Sequence, residues 1–372
     1  MVDLVKVKDC CEILDSKRIP ITASKREKGI YPYYGANGIQ DHINKYLFDD
    51  ELVLVAEDGG NFNSQTKPIA YRVSGKCWVN NHAHVLKPKS FLDVDYLCYA
   101  LAFYKVGNLV NGATRKKLTQ KALKAMTIPI ISLPEQKMIV NKIKLVKELI
   151  KIKEQELSKL DTLIKARFVE MFGSIQDNSK YSYKKISDLT QVLSGGTPKR
   201  DVKKYWNNGK IPWIKTTELK NNRITKSEES ITELGLQNSS AKQVPAHTIL
   251  IAMYGQGKTR GMTGYLEIEA TTNQACACIL PTSKINSEYL WQFLIMSYEI
   301  LRNMAKGGNQ PNLNSNLIKN FQILVPPKSE QNEFTSFVQQ VDKSKVVNAS
   351  IMKYIISIRF YLYFKENKEG AR

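Results

Sequence analysis

The sequence predicts a mixed α/β chain: two similar globular α+β domains written in tandem, each closed by one long amphipathic helix. Three observations predict it. The chain repeats itself internally, each copy alternates short apolar runs with Gly, Asn and Pro turns, and each copy ends in a proline-led stretch with heptad spacing.

The repeat is clearest where residues 118–136 align without a gap with residues 313–331, an offset of 195. Leu118, Lys124, Ile128, Glu135 and Gln136 meet identical residues at Leu313, Lys319, Ile323, Glu330 and Gln331. Apolar character also matches at Leu123 and Ile318, Met126 and Phe321, and Ile130 and Val325, while Gly112 falls on Gly307. Earlier landmarks recur in the same order at slightly shifted offsets, as they would after loops changed length. "KVKDCCEIL" resembles "KISDLTQVL", "YPY" resembles "IPW", "LVLVAEDG" resembles "TILIAMYG", and "NHAH" resembles "NQAC". The chain is therefore a tandem duplication with units of roughly 172 and 200 residues.

Within each unit the first portion reads as short strands punctuated by turn residues, for example "TILIAMYGQG" and "ACACILPTS". A helix follows, "DYLCYALAFYKV" or "SEYLWQFLIMSYEILRNMA", then a loop, then the repeated apolar strand and proline. The expected layout is a first domain at 1–133, a helix at 134–173, a second domain at 174–328 and a helix at 329–372.

After Pro134 the periodicity changes. Ile139, Ile143, Val146, Ile150, Leu157, Leu160 and Ile164 step by three and four, with Lys153 in the one non-apolar seat. That is a heptad seam. Proline suits a first helical turn, because its missing N–H has no intrahelical partner there, and Gly173 can close the C-terminus. Some 38 residues at about 1.5 Å each make a rod of roughly 57 Å. The second rod carries Phe334, Val338 and Val341, then Ile351, Ile355 and Ile358, so its register is expected to slip by about one residue midway. Each rod needs a partner stripe, and the other copy is the nearest candidate.

The balance of charge narrows the function. The 372 residues carry 55 Lys+Arg against 35 Asp+Glu, a net charge of +20. Such an excess suits a polyanion, because each phosphate neutralised releases condensed counterions. No apolar run approaches the roughly 18 residues of a membrane span, and the first residues lack the pattern of a secretory signal. Six scattered cysteines without a spaced framework read as reduced thiols.

Two motifs mimic other chemistry. Gly257-Lys258-Thr259 after an apolar strand resembles the end of a phosphate-binding loop, but Ala252 stands where that loop needs glycine. The glycines and the strand-like "YLEIEA" that follow predict a hairpin, where the loop requires a helix. There Tyr254, Gln256, Lys258 and Arg260 are the residue types that read base edges and phosphates. His82 and His84 could face one way as half a metal site, and Cys276 and Cys278 are too close for a zinc pair; buried strand residues are the simpler reading, and no metal is expected. No nucleophile–base constellation, dinucleotide fingerprint or methyltransferase motif stands out, which favours a binding protein. The loops "NGATRKKLTQ" and "GGNQPNLNSN" occupy the same station in the two copies, one basic and one amide-rich, like one binding site with two specificities.

With "VLSGGTPKRDVKKYWNNGKIPWIKTTEL", with "GGNQPNLN" leading into "ILVPPKSEQ", and with the doubled strand–Pro–helix, the whole chain resembles the specificity subunit of type I restriction-modification systems. The first copy departs from the pattern, having "DSKRIPI" where the second has Gly-Gly-Thr-Pro. The resemblance implies two target recognition domains, each reading one half of a bipartite, asymmetric double-stranded DNA sequence. It implies that the long helices pack antiparallel as a coiled-coil spacer with pseudo-twofold symmetry. It implies a non-catalytic, cytoplasmic, nucleoid-associated subunit of a prokaryote. Its partners would be two modification subunits using S-adenosylmethionine for adenine N6-methylation, and restriction/translocase subunits using ATP and Mg, with no cofactor in this chain. The candidate DNA-binding residues are Lys17, Arg18, Tyr34, Asn37, Asn61, His82, Thr114, Arg115, Lys116 and Lys117 in the first copy. In the second they are Thr197, Lys199, Arg200, Lys215, Tyr254, Gln256, Lys258, Arg260, Asn309 and Gln310. The competing readings are a standalone nucleic-acid-binding regulator, which would lack methyltransferase partners, and a nucleotide hydrolase, which would depend on Lys258.

Overall fold

The computed structural model describes residues 3–368 except 65, 113, 114, 177, 256 and 306–311; in the last helix, side chains are described to 352 and at 355. Thr114, Gln256, Asn309, Gln310 and the side chain of Ile358 therefore lie outside the described residues. The chain divides into two units, residues 1–155 with 348–372, and residues 156–347.

The first unit contains β1 (Asp3–Lys6), β2 (Cys11–Ile13), β3 (Lys28–Gly35), β4 (Gly38–Ile43), β5 (Phe48–Ala56), β6 (Ala70–Val79), β7 (Ala83–Pro88), β8 (Val110–Asn111), β9 (Lys117–Leu118) and β10 (Thr127–Ile130). Six of them form one mixed sheet in the order β2-β7-β5-β6-β3-β4. The apolar run "LVLVA" in β5 is continuous because both faces of that central strand are covered. Successive side chains alternate faces. Val53 and Val55 pack with Leu97, Leu101 and Leu123, whereas Leu52 and Leu54 pack with Val73, Val79 and Val85.

The second unit repeats that logic. Its strands are β11 (Tyr183–Lys185), β12 (Val192–Ser194), β13 (Ile211–Ile214), β14 (Asn222–Ile224), β15 (Glu229–Ile231), β16 (Ile249–Ala252), β17 (Thr263–Leu266), β18 (Thr271–Thr272), β19 (Cys276–Ile279) and β20 (Gln322–Leu324). A five-stranded sheet runs β12-β19-β16-β17-β14 beside a three-stranded sheet β15-β13-β18. In β16, Ile249 and Ile251 face Tyr289 and Phe293 on one side, while Leu250 and Ala252 face Leu266 and Cys278 on the other. Both strands of the repeated apolar segment pair with the start of their own copy: β10 with β1, and β20 with β11, each antiparallel. All six cysteines are buried and free, Cys276 and Cys278 among them within β19.

The resemblance to a phosphate-binding loop ends here: β16 and β17 are antiparallel neighbours, so Gly257-Lys258-Thr259 lies in a hairpin turn and no helix follows it. Among the described residues, no helix is long and apolar enough to cross a membrane.

The first long helix spans Leu133–Phe172. Ser132 starts it: its backbone N–H donates to the Glu135 side chain, three residues on, which is one half of a capping box, and its hydroxyl donates to the same carboxylate. Gly173 ends it in the left-handed region, at φ 79°, with its N–H on the Val169 carbonyl. The seam positions Ile139, Ile143, Val146, Ile150, Lys153, Leu157, Leu160 and Ile164 are all buried or half-buried, and Phe168 and Phe172 continue the line.

The second long helix spans Lys328–Lys368, and here the structure corrects the expected slip. Phe334, Val338, Val341, Lys345, Asn348, Met352 and Ile355 are all buried or half-buried, an unbroken alternation of steps of four and three. Ile351 is not on that line and is 40% exposed. The register holds because two seats are polar, so a search for apolar residues alone drifts to the neighbouring stripe. Each polar seat has a partner. Lys345 Nζ pairs with Asp161 at 2.8 Å, and Asn348 Oδ1 accepts from Lys153 Nζ at 3.1 Å. In the second unit the helices run antiparallel, with Phe168 edge-on to Phe334 at 5.5 Å and Arg167 on Glu333 at 2.8 Å. Lys153 and Asn348 are equivalents in the duplication, and an antiparallel pair of duplicated helices must meet itself at one such position.

Candidate nucleic-acid interface

In each copy the loop before the repeated strand is fastened to the residue that follows the central strand. Leu118 N–H donates to the Glu57 carbonyl at 2.7 Å, and Leu313 N–H, at the equivalent position, donates to the Met253 carbonyl at 3.0 Å. The two loops thus leave from the same station, at the end of β5 and of β16.

In the first unit this station gathers most of the expected contacts around residues 57–63. Asn37, at the tip of the β3–β4 hairpin, donates to the Gly59 carbonyl at 3.0 Å, and Asn61 donates to Asn37 Oδ1 at 3.1 Å. Arg115 Nη2 lies 2.7 Å from Asp58 Oδ1, and His82 Nδ1 lies 2.8 Å from the same oxygen. Lys116 Nζ reaches Asn63 at 3.3 Å and Lys117 Nζ reaches Glu57 at 3.0 Å. Gly59 has a left-handed backbone, φ 62°, and a Cβ there would stand 3.1 Å from the Arg115 guanidinium. Glycine therefore supplies both the turn and the space in which Arg115 lies.

Beneath these side chains is a buried ion-pair network. Asp15 accepts from His84 Nδ1 at 2.7 Å, from Gln120 at 2.9 Å and from the Val85 N–H at 2.9 Å. His84 Nε2 meets the Leu118 carbonyl at 2.8 Å, tying the network to the end of the basic loop. Burial alone would raise the Asp15 carboxyl, but the His84 and Gln120 contacts bring it down to about 2. Burial likewise opposes ionisation of Glu57, and Arg18 and Lys117 outweigh it and hold that carboxyl below the usual range. Asp15, Glu57 and His84 present ligand atoms within 4.8 Å of one another. Both His84 nitrogens are already engaged and Arg18 already supplies the cation, so the donor set is satisfied without a metal ion.

Arg18 departs from the expectation that it faces DNA. Its side chain is 12% exposed and is spent on Glu57 at 2.6 Å, the Ala83 carbonyl at 2.7 Å and Asp15. One buried and one half-buried carboxylate outcompete solvent for it. Lys17 beside it is exposed, and Tyr34 is half-buried in β3 with its ring 5.8 Å from Tyr71.

In the second unit the contacts fall in two groups. Thr197 donates to Gln274, and Lys199 is exposed on the same segment. The Arg200 guanidinium lies 3.8 Å from the Trp206 ring centroid and 4.5 Å from that of Trp213, and pairs with Glu229. Glu229 also takes Lys215 Nζ at 2.8 Å, and these two cations hold its carboxyl below the usual range. The Gly-Gly of the opening motif packs here: a Cβ on Gly195 would collide with Thr272, one on Gly196 with the backbone of Ser240 and Ala241. Trp213 Nε1 donates to the Gly196 carbonyl at 3.0 Å. Tyr254 and Lys258 are exposed on the β16–β17 turn, whose backbone is held by Tyr298 on the Lys258 carbonyl and Arg302 on the Arg260 carbonyl.

Sequence reasoning read His84 as the buried strand residue that it is, and missed the acidic members, Asp15, Glu57, Asp58 and Glu229, together with Gln120 and Trp206. Its one usable signal was "EDGG" directly after the central strand, where acids end an apolar run and two glycines allow a close approach.

The sequence profile of the type I restriction modification DNA specificity domain matches residues 2–162 and again residues 178–353. A putative type I restriction enzyme specificity subunit of Haemophilus influenzae is 28% identical over 385 residues, covering 96% of this chain and 92% of that one. The MjaIX specificity subunit of Methanocaldococcus jannaschii is 32% identical over 171 residues, covering 44% of this chain and 38% of that one. In fold, the chain is similar to the S subunit of a type I restriction-modification system from M. genitalium, with a TM-score of 0.55, 14% identity and coverage of 98% and 96%. It is also similar to a chain solved in work on assembly and conformational transition of a type I system, with a TM-score of 0.59, 15% identity and coverage of 98% and 97%. With that domain present twice and the same doubled architecture throughout, the chain belongs to the type I restriction-modification DNA specificity family.

Proposed function

We infer that this chain is the non-catalytic subunit that selects the DNA sequence for a type I restriction-modification complex. Each unit reads one half of a bipartite, asymmetric target. Two modification subunits carrying S-adenosylmethionine methylate adenine N6 where the chain has bound, and ATP- and Mg-dependent restriction subunits complete the assembly in the cytoplasm of a prokaryote. The observation that carries this reading is the matched pair of stations: one family domain twice, each with a differently composed loop fastened to the same point by Leu118 or Leu313. One station used twice with different side chains is what two unlike half-sites require. Arg, Lys, Asn and Gln at these loops suit guanine, phosphate and adenine contacts. The net charge of +20 supplies the sequence-independent attraction.

The test is a methylation assay with this chain, type I modification subunits, S-adenosylmethionine and random-sequence duplex, with modified adenines mapped by sequencing. Methylation at one split sequence, requiring both components, is the expected result. Methyl transfer by the chain alone, or methylation without sequence preference, would overturn the reading.

A further inference from the structure

In each unit one carboxylate stands between two basic side chains that belong to the expected DNA contacts. In the first unit Asp58 Oδ1 touches both Arg115 and His82, at 2.7 and 2.8 Å. In the second unit Glu229 holds both Arg200 and Lys215. The two acids are not equivalents in the duplication: "LVLVAEDG" aligned with "TILIAMYG" places Asp58 on Tyr254. The same arrangement has therefore been built twice from unrelated positions. Each acid is more sheltered than the arginine it pairs with, 17% against 60% exposed for Asp58 and Arg115 and 32% against 51% for Glu229 and Arg200, while Lys215 is itself 26% exposed and also pairs with Glu228. The guanidinium thus keeps an open face toward solvent while its charge is met from behind. The Arg115 guanidinium lies against Gly59, and that of Arg200 lies 3.8 and 4.5 Å from the ring centroids of Trp206 and Trp213.

We propose that Asp58 and Glu229 are specificity-determining positioning residues, which hold Arg115, and Arg200 with Lys215, in internal ion pairs that non-specific DNA cannot displace. The proposal rests on the reading of the chain as a DNA specificity subunit. Sequence-independent binding draws its strength from cations that exchange small counterions for phosphates. A cation already paired with a partly buried carboxylate has fewer counterions to release, and moving it to phosphate strands the acid. A correct half-site offers base acceptors to the open face without breaking the pair. The acid therefore suppresses binding to wrong sequences and orients the side chain for the right one.

The test uses the full-length chain and a fluorescent duplex of random sequence, titrated across a salt series, for wild type, Asp58→Asn, Arg115→Ala and the double variant. Asp58→Asn is expected to bind this probe several-fold more tightly, with a log K–log salt slope steeper by about one. The double variant is expected to lose that gain, because it passes through Arg115. Selection from a randomised duplex library should show Asp58→Asn losing contrast in one half of the target and keeping it in the other. Glu229→Gln, whose melting is checked separately, should steepen the slope in the same way and relax the other half, so the idea remains testable where one variant does not fold. A gain that survives in the Arg115→Ala background, or slopes unchanged in both acid variants, would overturn the proposal. Absence of any DNA binding by the wild-type chain would instead overturn the functional reading beneath it, and the proposal with it.

Discussion

Gln136 and Gln331, 195 residues apart, do the same work in the two copies. Gln136 Oε1 accepts from the Asp93 N–H at 2.8 Å, and Gln331 Oε1 accepts from the Asn286 N–H at 2.8 Å. Asp93 and Asn286 are the N-caps of the preceding helices, accepting from Tyr96 and Tyr289 in turn. The amide nitrogens return to backbone carbonyls, Ile131 and Phe91 in one copy and Pro326 in the other. Both glutamines are almost fully buried. The recurrent Glu–Gln after proline therefore carries a clip: in both copies the glutamine ties the first turns of the long helix to the domain it leaves.

Replacing either glutamine by leucine removes a buried amide but leaves partly buried backbone groups without its hydrogen bonds, at a cost of about 1–3 kcal/mol each. Urea unfolding of Gln136→Leu and Gln331→Leu checks this. Because the two clips share no partners, their effects should add in the double variant.

The helix register yields a sharper expectation. Met352 lies on the protected line and Ile351 off it. Met352→Ala should therefore destabilise the pair by roughly 1–2 kcal/mol, while Ile351→Ala should stay within about 0.5 kcal/mol. The reverse order in thermal or urea unfolding would restore the slipped register. The polar seats add a second check: a double-mutant cycle on Lys153→Ala and Asn348→Ala should return a coupling of about 0.5–1.5 kcal/mol.

Arg223 anchors the second unit internally. It pairs with Glu267 at 2.7 Å, with Asp342 at 3.3 Å and with Glu288, which also accepts from Gln339. Burial works against its charge, but these acids raise its affinity for the proton well above the ordinary guanidinium. Arg223→Met should cost about 3 kcal/mol or more, because Glu288 is left buried without its counter-charge. The loss should shrink in a Glu288→Gln background, measured by unfolding of both variants.

Acid stability of the first unit should depend on Asp15. Its carboxyl is brought from the ordinary 3.8 down to about 2 in the folded chain. A depressed carboxylate stabilises the fold fully above pH 4, and that contribution is lost as pH falls from 4 through about 2. A tenfold change in proton affinity corresponds to about 1.4 kcal/mol, so the contribution is roughly 2 kcal/mol. Asp15→Asn should remove that amount at neutral pH and flatten the decline in stability between pH 4 and 2, as followed by denaturant titration.

The duplication, the central apolar strands, the capping signals and the first heptad seam could all be read in the sequence, because each depends on neighbours within a few residues or on a period of the chain itself. Residues such as Ile143, Ile164 and Val338 are legible for that reason: burial follows from spacing. The second seam was legible to Val341 and again at Ile355, and between them Lys345 and Asn348 look misplaced until Asp161 and Lys153 are seen opposite them.

The loops that would face DNA follow the same division. Their basic and amide character was plain from composition, and their shared station followed from the repeat. Tertiary structure alone decided that Arg18 is consumed internally, that Asp58 stands between Arg115 and His82, and that Glu229 stands between Arg200 and Lys215. Arg18 and Glu57 lie 39 residues apart in the chain, and Arg200 and Glu229 lie 29 apart. No local period relates such partners, and only the three-dimensional approach of strand ends brings one charge within hydrogen-bonding distance of another.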